Sequence, residues 1–259
     1  MVMRAKRKND TPVAIRVIQE RPARVFAVGD IHGCFDEAKA LLEHLKREKA
    51  AGPSDLFVFM GDYIDRGSQS KQVLDLLLEV QREWPHTVFL KGNHEDMLLD
   101  YLGFGGDSCD VYLENGGAEF LKSYGLHPFT PRADILAAIP EAHIRFLQGL
   151  ELGVELAEFV FVHAGIRPNV SLAKQSIHDV MWIRGDFVHA EHSLGKTIVF
   201  GHTPFEDVFL HLPHKIGLDT GLIFGNKLSV VELVQGDVFQ VERGESAVRS
   251  YNLRTRLGG

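Results

Sequence analysis

Cysteine is scarce in this chain, with Cys34 and Cys109 the two among 259 residues. Two thiols cannot build a disulfide framework or a four-thiolate zinc site, and such scarcity suits a reducing compartment, so a cytoplasmic location is expected. No run of 18 apolar residues offers a membrane span. Arg4, Lys6, Arg7 and Lys8 open the chain without the apolar stretch of a signal peptide behind them, and read as a solvated tail. Positive charge is also in deficit, 28 Lys+Arg against 35 Asp+Glu, for a net charge of −7. General nucleic-acid binding draws its affinity from a basic surface and is not expected, nor is a membrane partner. Internal repeats and low-complexity segments are lacking.

Familiar catalytic signatures are incomplete. Gly195-Lys196-Thr197 resembles the end of a phosphate-binding P-loop, but Ala190 stands where its first glycine is needed, and the tripeptide opens a strand. His94-Glu95 begins a metalloprotease-like motif that Leu98 breaks. No serine sits in a nucleophile elbow.

What is present is a globular composition, 45% hydrophobic and 24% charged, with one pattern used five times. A short apolar run stops and delivers polar residues able to bind metal. Val25–Val28 leads into Gly29-Asp30-Ile31-His32-Gly33, and Leu56–Met60 into Gly61-Asp62-Tyr63-Ile64-Asp65-Arg66-Gly67. Thr87–Leu90 precedes Lys91-Gly92-Asn93-His94-Glu95, Phe159–Val162 precedes His163-Ala164-Gly165, and Thr197–Phe200 precedes Gly201-His202-Thr203. Unalternating apolar runs of this length read as strands buried on both faces. Between them, Ala38, Leu41, Leu42 and Leu45 predict a helix over 36–50, and Val73, Leu74, Leu77 and Val80 a second over 70–84. Strands alternating with helices predict an α/β fold with parallel strands, whose carboxyl ends gather the polar motifs at one rim.

Residues 103–150 read as an inserted helical cap, with helical pieces near 118–124 and 140–150. Asn115-Gly116-Gly117 reads as a left-handed turn or as a part of the substrate cleft. Alternation in 228–233 and 238–241 about Gln235-Gly236-Asp237 predicts an antiparallel hairpin closing a second sheet. The expected organisation is a tail and lead-in over 1–20 and one domain over 21–259.

The rim collects Asp30, His32, Asp62, Asn93, His163 and His202, an oxygen and nitrogen ligand set without thiolate. Such a set suits two transition-metal ions, Mn, Fe or Zn rather than Ca, with Asp62 the expected bridge.

The motifs Gly29-Asp30-Ile31-His32-Gly33, Gly61-Asp62-Tyr63-Ile64-Asp65-Arg66-Gly67 and Gly92-Asn93-His94-Glu95 resemble the signature of the PPP-type metallophosphoesterases, the group that contains the serine/threonine protein phosphatases. His163-Ala164-Gly165 and Gly201-His202-Thr203 resemble its later metal-binding elements, and Met181-Trp182-Ile183-Arg184 the segment where bacterial members place a phosphate-binding arginine. The resemblance spans about residues 25–225. It implies a four-layer α/β/β/α sandwich with two divalent ions, most simply Mn2+. Asp30, His32 and Asp62 would hold one ion, and Asp62, Asn93, His163 and His202 the other. A metal-bridging hydroxide would attack phosphorus in line without a phosphoenzyme. Arg66 and Arg184 would clamp the phosphate. His94, oriented by Asp65, would protonate the leaving oxygen.

The related bacterial diadenosine tetraphosphate hydrolases resemble this pattern but usually carry alanine at the place of Asp65. A proton donor matters most for a strongly basic alkoxide, so the resemblance favours a phosphorylated protein or small phosphoester as substrate. Dinucleoside polyphosphate hydrolysis, or a silent scaffold of the same fold, are the alternatives. Asp219, in Gly217-Leu218-Asp219-Thr220-Gly221, would support a ligand histidine or form a turn, and Glu95 would cap the helix that follows it.

Overall fold

The computed structural model describes residues 11–105 and 109–256. The basic tail lies outside them. Strands are Arg16–Val17 (β1), Val25–Val28 (β2), Leu56–Phe59 (β3), Thr87–Phe89 (β4), Val154–Glu155 (β5) and Phe159–Phe161 (β6). Thr197–Phe200 (β7), Phe209–His211 (β8), Lys215–Gly217 (β9), Lys227–Glu232 (β10), Asp237–Glu242 (β11) and Val248–Asn252 (β12) follow. The helices that matter to the site are Phe35–Glu48 (α1), Ser70–Glu83 (α2), Asn93–Tyr101 (α3), Ala118–Ser123 (α4), Arg132–Ala138 (α5), Glu141–Gln148 (α6) and Ile177–Trp182 (α7).

The strands form two six-stranded sheets, ordered β12-β11-β10-β2-β3-β4 and β1-β5-β6-β7-β9-β8. Within the first, β2, β3 and β4 are parallel, with Phe26 opposite Phe57 and Val58 opposite Val88. The crossovers are α1, burying Ala38, Leu41, Leu42 and Leu45, and α2, burying Val73, Leu74, Leu77 and Val80. Each set recurs at the spacing that puts a single stripe on one helix face. Asp36 and Glu37 in the first turn of α1 and Lys46 and Arg47 in its last complement the helix dipole.

Alternate residues of the strands divide the core into layers. Phe26, Val28, Phe57 and Phe59 pack beneath the helices, with Phe57 stacked between Phe26 and Trp84 at centroid distances of 4.8 and 4.3 Å. Val25, Ala27, Leu56 and Val58 face the other way, onto Val154, Phe161, Val199 and Ile216 of the second sheet. On the far side of that sheet Val160, Val162, Ile198 and Phe200 meet Val180 and Met181 of α7. The layering is helix, sheet, sheet, helix, and each fully buried aliphatic or phenyl side chain contributes about 1.5–3 kcal/mol.

Two features differ from the sequence reading. The hairpin β10–β11 forms in the expected place, but it extends the first sheet rather than closing the second, with Val230 opposite Val28 on β2. Alternation fixes which faces a strand presents, not which neighbour it pairs with. The lead-in also contributes structure: Arg16 pairs with Val154, and Pro12 bridges to Ser176, so 12–17 lines the second sheet.

Segment 109–148 is helical, opening with a 3-10 turn at Cys109–Val111 and a π turn at Leu113–Gly117 before α4, α5 and α6. A part-buried relay ties it to α2. His143 Nε2 donates to Asp75 Oδ1 at 2.9 Å, leaving Nδ1 to accept from the Tyr124 hydroxyl at 2.6 Å. No sequence motif surrounds His143, yet its side chain is buried in this relay.

Candidate active site

Loops leaving β2, β3, β4, β6 and β7 converge between the carboxyl ends of the two sheets. The first two are knitted together, because the amides of Ile31 and His32 both donate to the Asp62 carbonyl, at 3.1 and 2.9 Å. The chain bends sharply here. His32, Asp62, Asp65, Arg66 and His202 all hold positive φ, between 45° and 69°, a backbone region that side chains other than glycine avoid. Strain of this kind costs about 1–3 kcal/mol per residue and collects at functional sites.

Glycines at the margins make close approach possible. A Cβ on Gly92 would stand 2.1 Å from Asp62 Oδ1, and one on Gly201 2.1 Å from Asp30 Oδ1. Neither contact is tolerable, so the motif glycines are needed for the carboxylates to sit where they do.

Glu95 holds the central loop. Its carboxylate accepts from the amides of Asp62 at 2.9 Å, Tyr63 at 2.8 Å and Gly92 at 3.0 Å. It therefore caps α3, as expected, and at the same time clamps the loop after β3 to the loop after β4.

The imidazoles are aimed by backbone carbonyls. His32 Nδ1 donates to Ile64 O at 2.9 Å and His163 Nδ1 to Met60 O at 2.7 Å, so each turns Nε2 toward Asp62, at 3.4 Å in both cases. His163 Nε2 also lies 3.2 Å from Asn93 Oδ1. Asp30 Oδ2 accepts from the His202 amide at 2.9 Å. Among the described residues, the buried side-chain polar atoms without a hydrogen-bond partner include Asp30 Oδ1, His94 Nε2 and both ring nitrogens of His202. Buried polar atoms are rarely left so, which marks them as ligand or reaction groups.

Two sets of side chains bring their ligand atoms within 4.8 Å of one another, His32 with Asp62 and His94, and Asp62 with His163 and His202. Asp62 belongs to both. The donor set fits a pair of divalent cations: carboxylate and imidazole, no thiolate, two adjacent buried carboxylates demanding positive charge, and nitrogens aimed by carbonyls. Burial holds His32 at about 3 and His202 at about 2, against the pull of Asp62, so both imidazoles are neutral and free to donate to a metal. Burial would also lower His163, but the Asp62 carboxylate, their hydrogen bond and Asp30 raise it to about 9. Asp30 is raised well above the usual carboxylate range by burial and by Asp219.

The remaining expected residues border these sets. Arg66 reaches His32 Nε2 at 3.0 Å and lies over the exposed ring of Phe224, 5.6 Å from its centroid. Arg184 lies beside His202, donating to its carbonyl at 2.7 Å. His94 Nδ1 donates to Asp65 Oδ2 at 2.8 Å, both side chains fully buried. Burial, opposed by Asp62, holds His94 at about 4.

Asp219 accepts from the Gly221 amide at 3.0 Å, which is the turn reading. Asn115 bonds its amide back to Val111 O at 2.8 Å, and the left-handed residue is Gly116, at φ 99°. Sequence reasoning passed over Tyr112 altogether. Its buried hydroxyl donates to Asp65 Oδ1 at 3.0 Å. No local pattern announces it, because the contact joins residues 47 positions apart.

The chain has extensive relatives. Residues 23–235 match the calcineurin-like phosphoesterase family. Serine/threonine-protein phosphatase 1 of Salmonella typhimurium is 30% identical over 213 residues, covering 81% of this chain and 91% of that protein. The asymmetrical bis(5'-nucleosyl)-tetraphosphatase PrpE of Oceanobacillus iheyensis is 25% identical over 244 residues, covering 84% and 92%. Among solved structures, the cold-active protein-tyrosine phosphatase of a psychrophilic Shewanella shares the fold with a TM-score of 0.59 at 19% identity, covering 92% of this chain and 83% of that one. With its paired sheets, carboxylate and imidazole clusters and flanking arginines, this chain belongs to the calcineurin-like phosphoesterase family, a hydrolytic phosphatase that works with divalent metal.

Proposed function

We propose that the enzyme is a manganese-dependent phosphomonoesterase acting on phosphoserine and phosphothreonine in proteins. The buried His94–Asp65 pair carries this reading, since a serine or threonine alkoxide is a strong base that must be protonated as it leaves. The relative from Salmonella, by name a serine/threonine-protein phosphatase, supports it.

Asp30, His32 and Asp62 would hold one ion, and Asp62, Asn93, His163 and His202 the other. When bound, the ions supply Lewis-acid charge for the phosphoryl oxygens and acidify water for attack on phosphorus. Arg66, beside His32, and Arg184, beside His202, would bind phosphoryl oxygens through paired N–H groups and hold the group in line. As the P–O bond breaks, the leaving oxygen takes the proton of His94 Nε2, the atom left without a partner; the imidazole, held at about 4 and neutral in the free site, first takes up that proton when the negative charge of the phosphoryl group lies beside it. Asp65 keeps the other proton on Nδ1 and stabilises the orientation. The helical pieces within 109–148 would act as a cap that chooses what reaches the site, a reading supported by the contact of Tyr112 with Asp65. Two free cysteines suit a cytoplasmic enzyme, and no helix among the described residues is long and apolar enough to cross a membrane.

A second reading, dinucleoside tetraphosphate hydrolysis, is favoured by the exposed Phe224 ring beside Arg66, a surface on which a base can stack, and by the PrpE relatives. Turnover of the Mn-loaded protein on phosphoserine and phosphothreonine peptides and on diadenosine tetraphosphate, with Asp62→Asn as the blank, separates the two. Phosphate released from peptides and little dinucleotide cleavage is the expected result. Preferential cleavage of the dinucleotide would reject the protein phosphatase reading, and no turnover of either would favour a scaffold.

His94 falls within ligand distance of His32 and Asp62, so its role needs its own test. His94→Asn is expected to keep its metal content and to lose about 10²- to 10⁴-fold in rate on alkyl phosphates. Loss of an ion from that variant, measured by elemental analysis, would make His94 a ligand.

A further inference from the structure

The π turn at Leu113–Gly117 lies against both Asp65 and Arg66. Tyr112, just before it, donates its hydroxyl to Asp65 Oδ1 at 3.0 Å, while Asp65 Oδ2 accepts from His94 Nδ1 at 2.8 Å. One carboxylate is thus held at both oxygens, by the cap on one side and by the proton donor on the other. Asp65 itself sits at a φ of 69° and Arg66 at 65°, in backbone that does not hold its shape alone. The Arg66 amide donates to the Gly116 carbonyl at 3.1 Å, and Gly116 lies so close that a Cβ there would stand 2.7 Å from Arg66 Cγ. Gly117 in turn lies beneath the Tyr112 ring, where a Cβ would stand 2.4 Å from a ring carbon. Tyr101 of α3 packs on the ring at a centroid distance of 5.0 Å, 39° from parallel. The tyrosine has no freedom to point elsewhere.

We propose that Tyr112 is a positioning residue for proton donation to the leaving group: from the cap, it orients Asp65 and through it the imidazole of His94. Asn115-Gly116-Gly117 is then the seat that brings cap and catalytic loop together, its two glycines leaving room for Arg66 and for the Tyr112 ring. A cap lifted from this seat would remove one hydrogen bond from Asp65 and one from the Arg66 backbone together. The inference rests on the reading of His94 as proton donor, and it extends that reading to a residue outside every rim motif.

Tyr112→Phe removes the hydroxyl and keeps the ring. Compared on a phosphothreonine peptide and on p-nitrophenyl phosphate, whose leaving group needs little protonation, it is expected to lower kcat about 10-fold on the peptide and less than 2-fold on the aryl ester. KM and the number of bound ions should stay unchanged. Tyr112→Phe combined with Asp65→Asn should be no slower than Asp65→Asn alone, because both act through one imidazole. Gly117→Ala, whose Cβ would stand 2.5 Å from the hydroxyl-bearing carbon of the ring and push it aside, should show the same dependence on leaving group. An equal loss on both substrates, or additive losses in the double variant, overturns the inference. His94→Asn, run in the same series, separates the two claims. If it loses rate on the peptide selectively while Tyr112→Phe does not, the inference alone fails. If His94→Asn itself slows both substrates equally, the proton-donor reading fails and the inference with it.

Discussion

Glu95 is buried, and four loop amides, those of Asp62, Tyr63, Ile64 and Gly92, depend on it. Removing an acceptor from a buried amide costs about 1–3 kcal/mol, so Glu95→Ala is expected to destabilise the protein by at least about 2 kcal/mol and to weaken metal binding through the displaced Asp62. Urea unfolding checks this, and an unchanged midpoint would mean that water replaces the carboxylate without loss. Asp62→Asn is expected to weaken both ions and abolish turnover, since Asp62 is common to both ligand clusters. A variant with normal metal content and rate would remove Asp62 as the bridge. At this scale the rim residues were legible, because each follows a buried strand directly and strand ends bring their loops together. Tyr112 and His143 were not. Each acts through a contact distant in sequence, and a tyrosine or histidine on an amphipathic helical segment has the same local pattern whether it packs or bonds.

Among the elements, α1 and α2 were readable from the spacing of their apolar residues, and the structure ends them at Glu48 and Glu83. The hairpin β10–β11 was readable as a pair but not in its placement, since its pairing with β2 follows from tertiary contact. Two-residue β1, exposed on both positions, carries no pattern at all. The cap is joined to α2 by the Tyr124–His143–Asp75 relay, and Lys71 pairs with the same aspartate at 2.9 Å. His143→Ala should therefore loosen α4 and α6 while leaving β2 and β3 intact. Amide exchange in the two helices is expected to rise about 10-fold, the equivalent of about 1.4 kcal/mol. A uniform rise across the protein would show that the cap does not open separately from the sheets.

For the molecule as a whole, the decisive fact is that the proposed metal ligands come from both sheets. Asp30, His32, Asp62 and Asn93 follow strands of the first, His163 and His202 strands of the second. Divalent ions bound between them should stabilise the packed pair of sheets. At a free ion concentration 100 times the dissociation constant, one site contributes about 2.7 kcal/mol, which in a domain of this size corresponds to roughly 5–10 °C in Tm. Calorimetry before and after chelation, with Mn, Fe and Zn restored in turn, checks this. A Tm that no ion changes would place metal affinity outside the fold's stability.

The sheets also exchange strands: β1, made first, belongs to the second sheet, and β10 to β12, made last, complete the first. During synthesis β2 emerges early but keeps one side open until residues 227–232 leave the ribosome to pair with it. An unfinished chain therefore presents a row of unpaired backbone groups beside Phe26 and Val28, a template for aggregation that chaperones must shield. Nascent chains stopped before β10 should be the ones that bind holdases, and release should coincide with the arrival of that strand rather than with formation of the rim loops, which are translated much earlier.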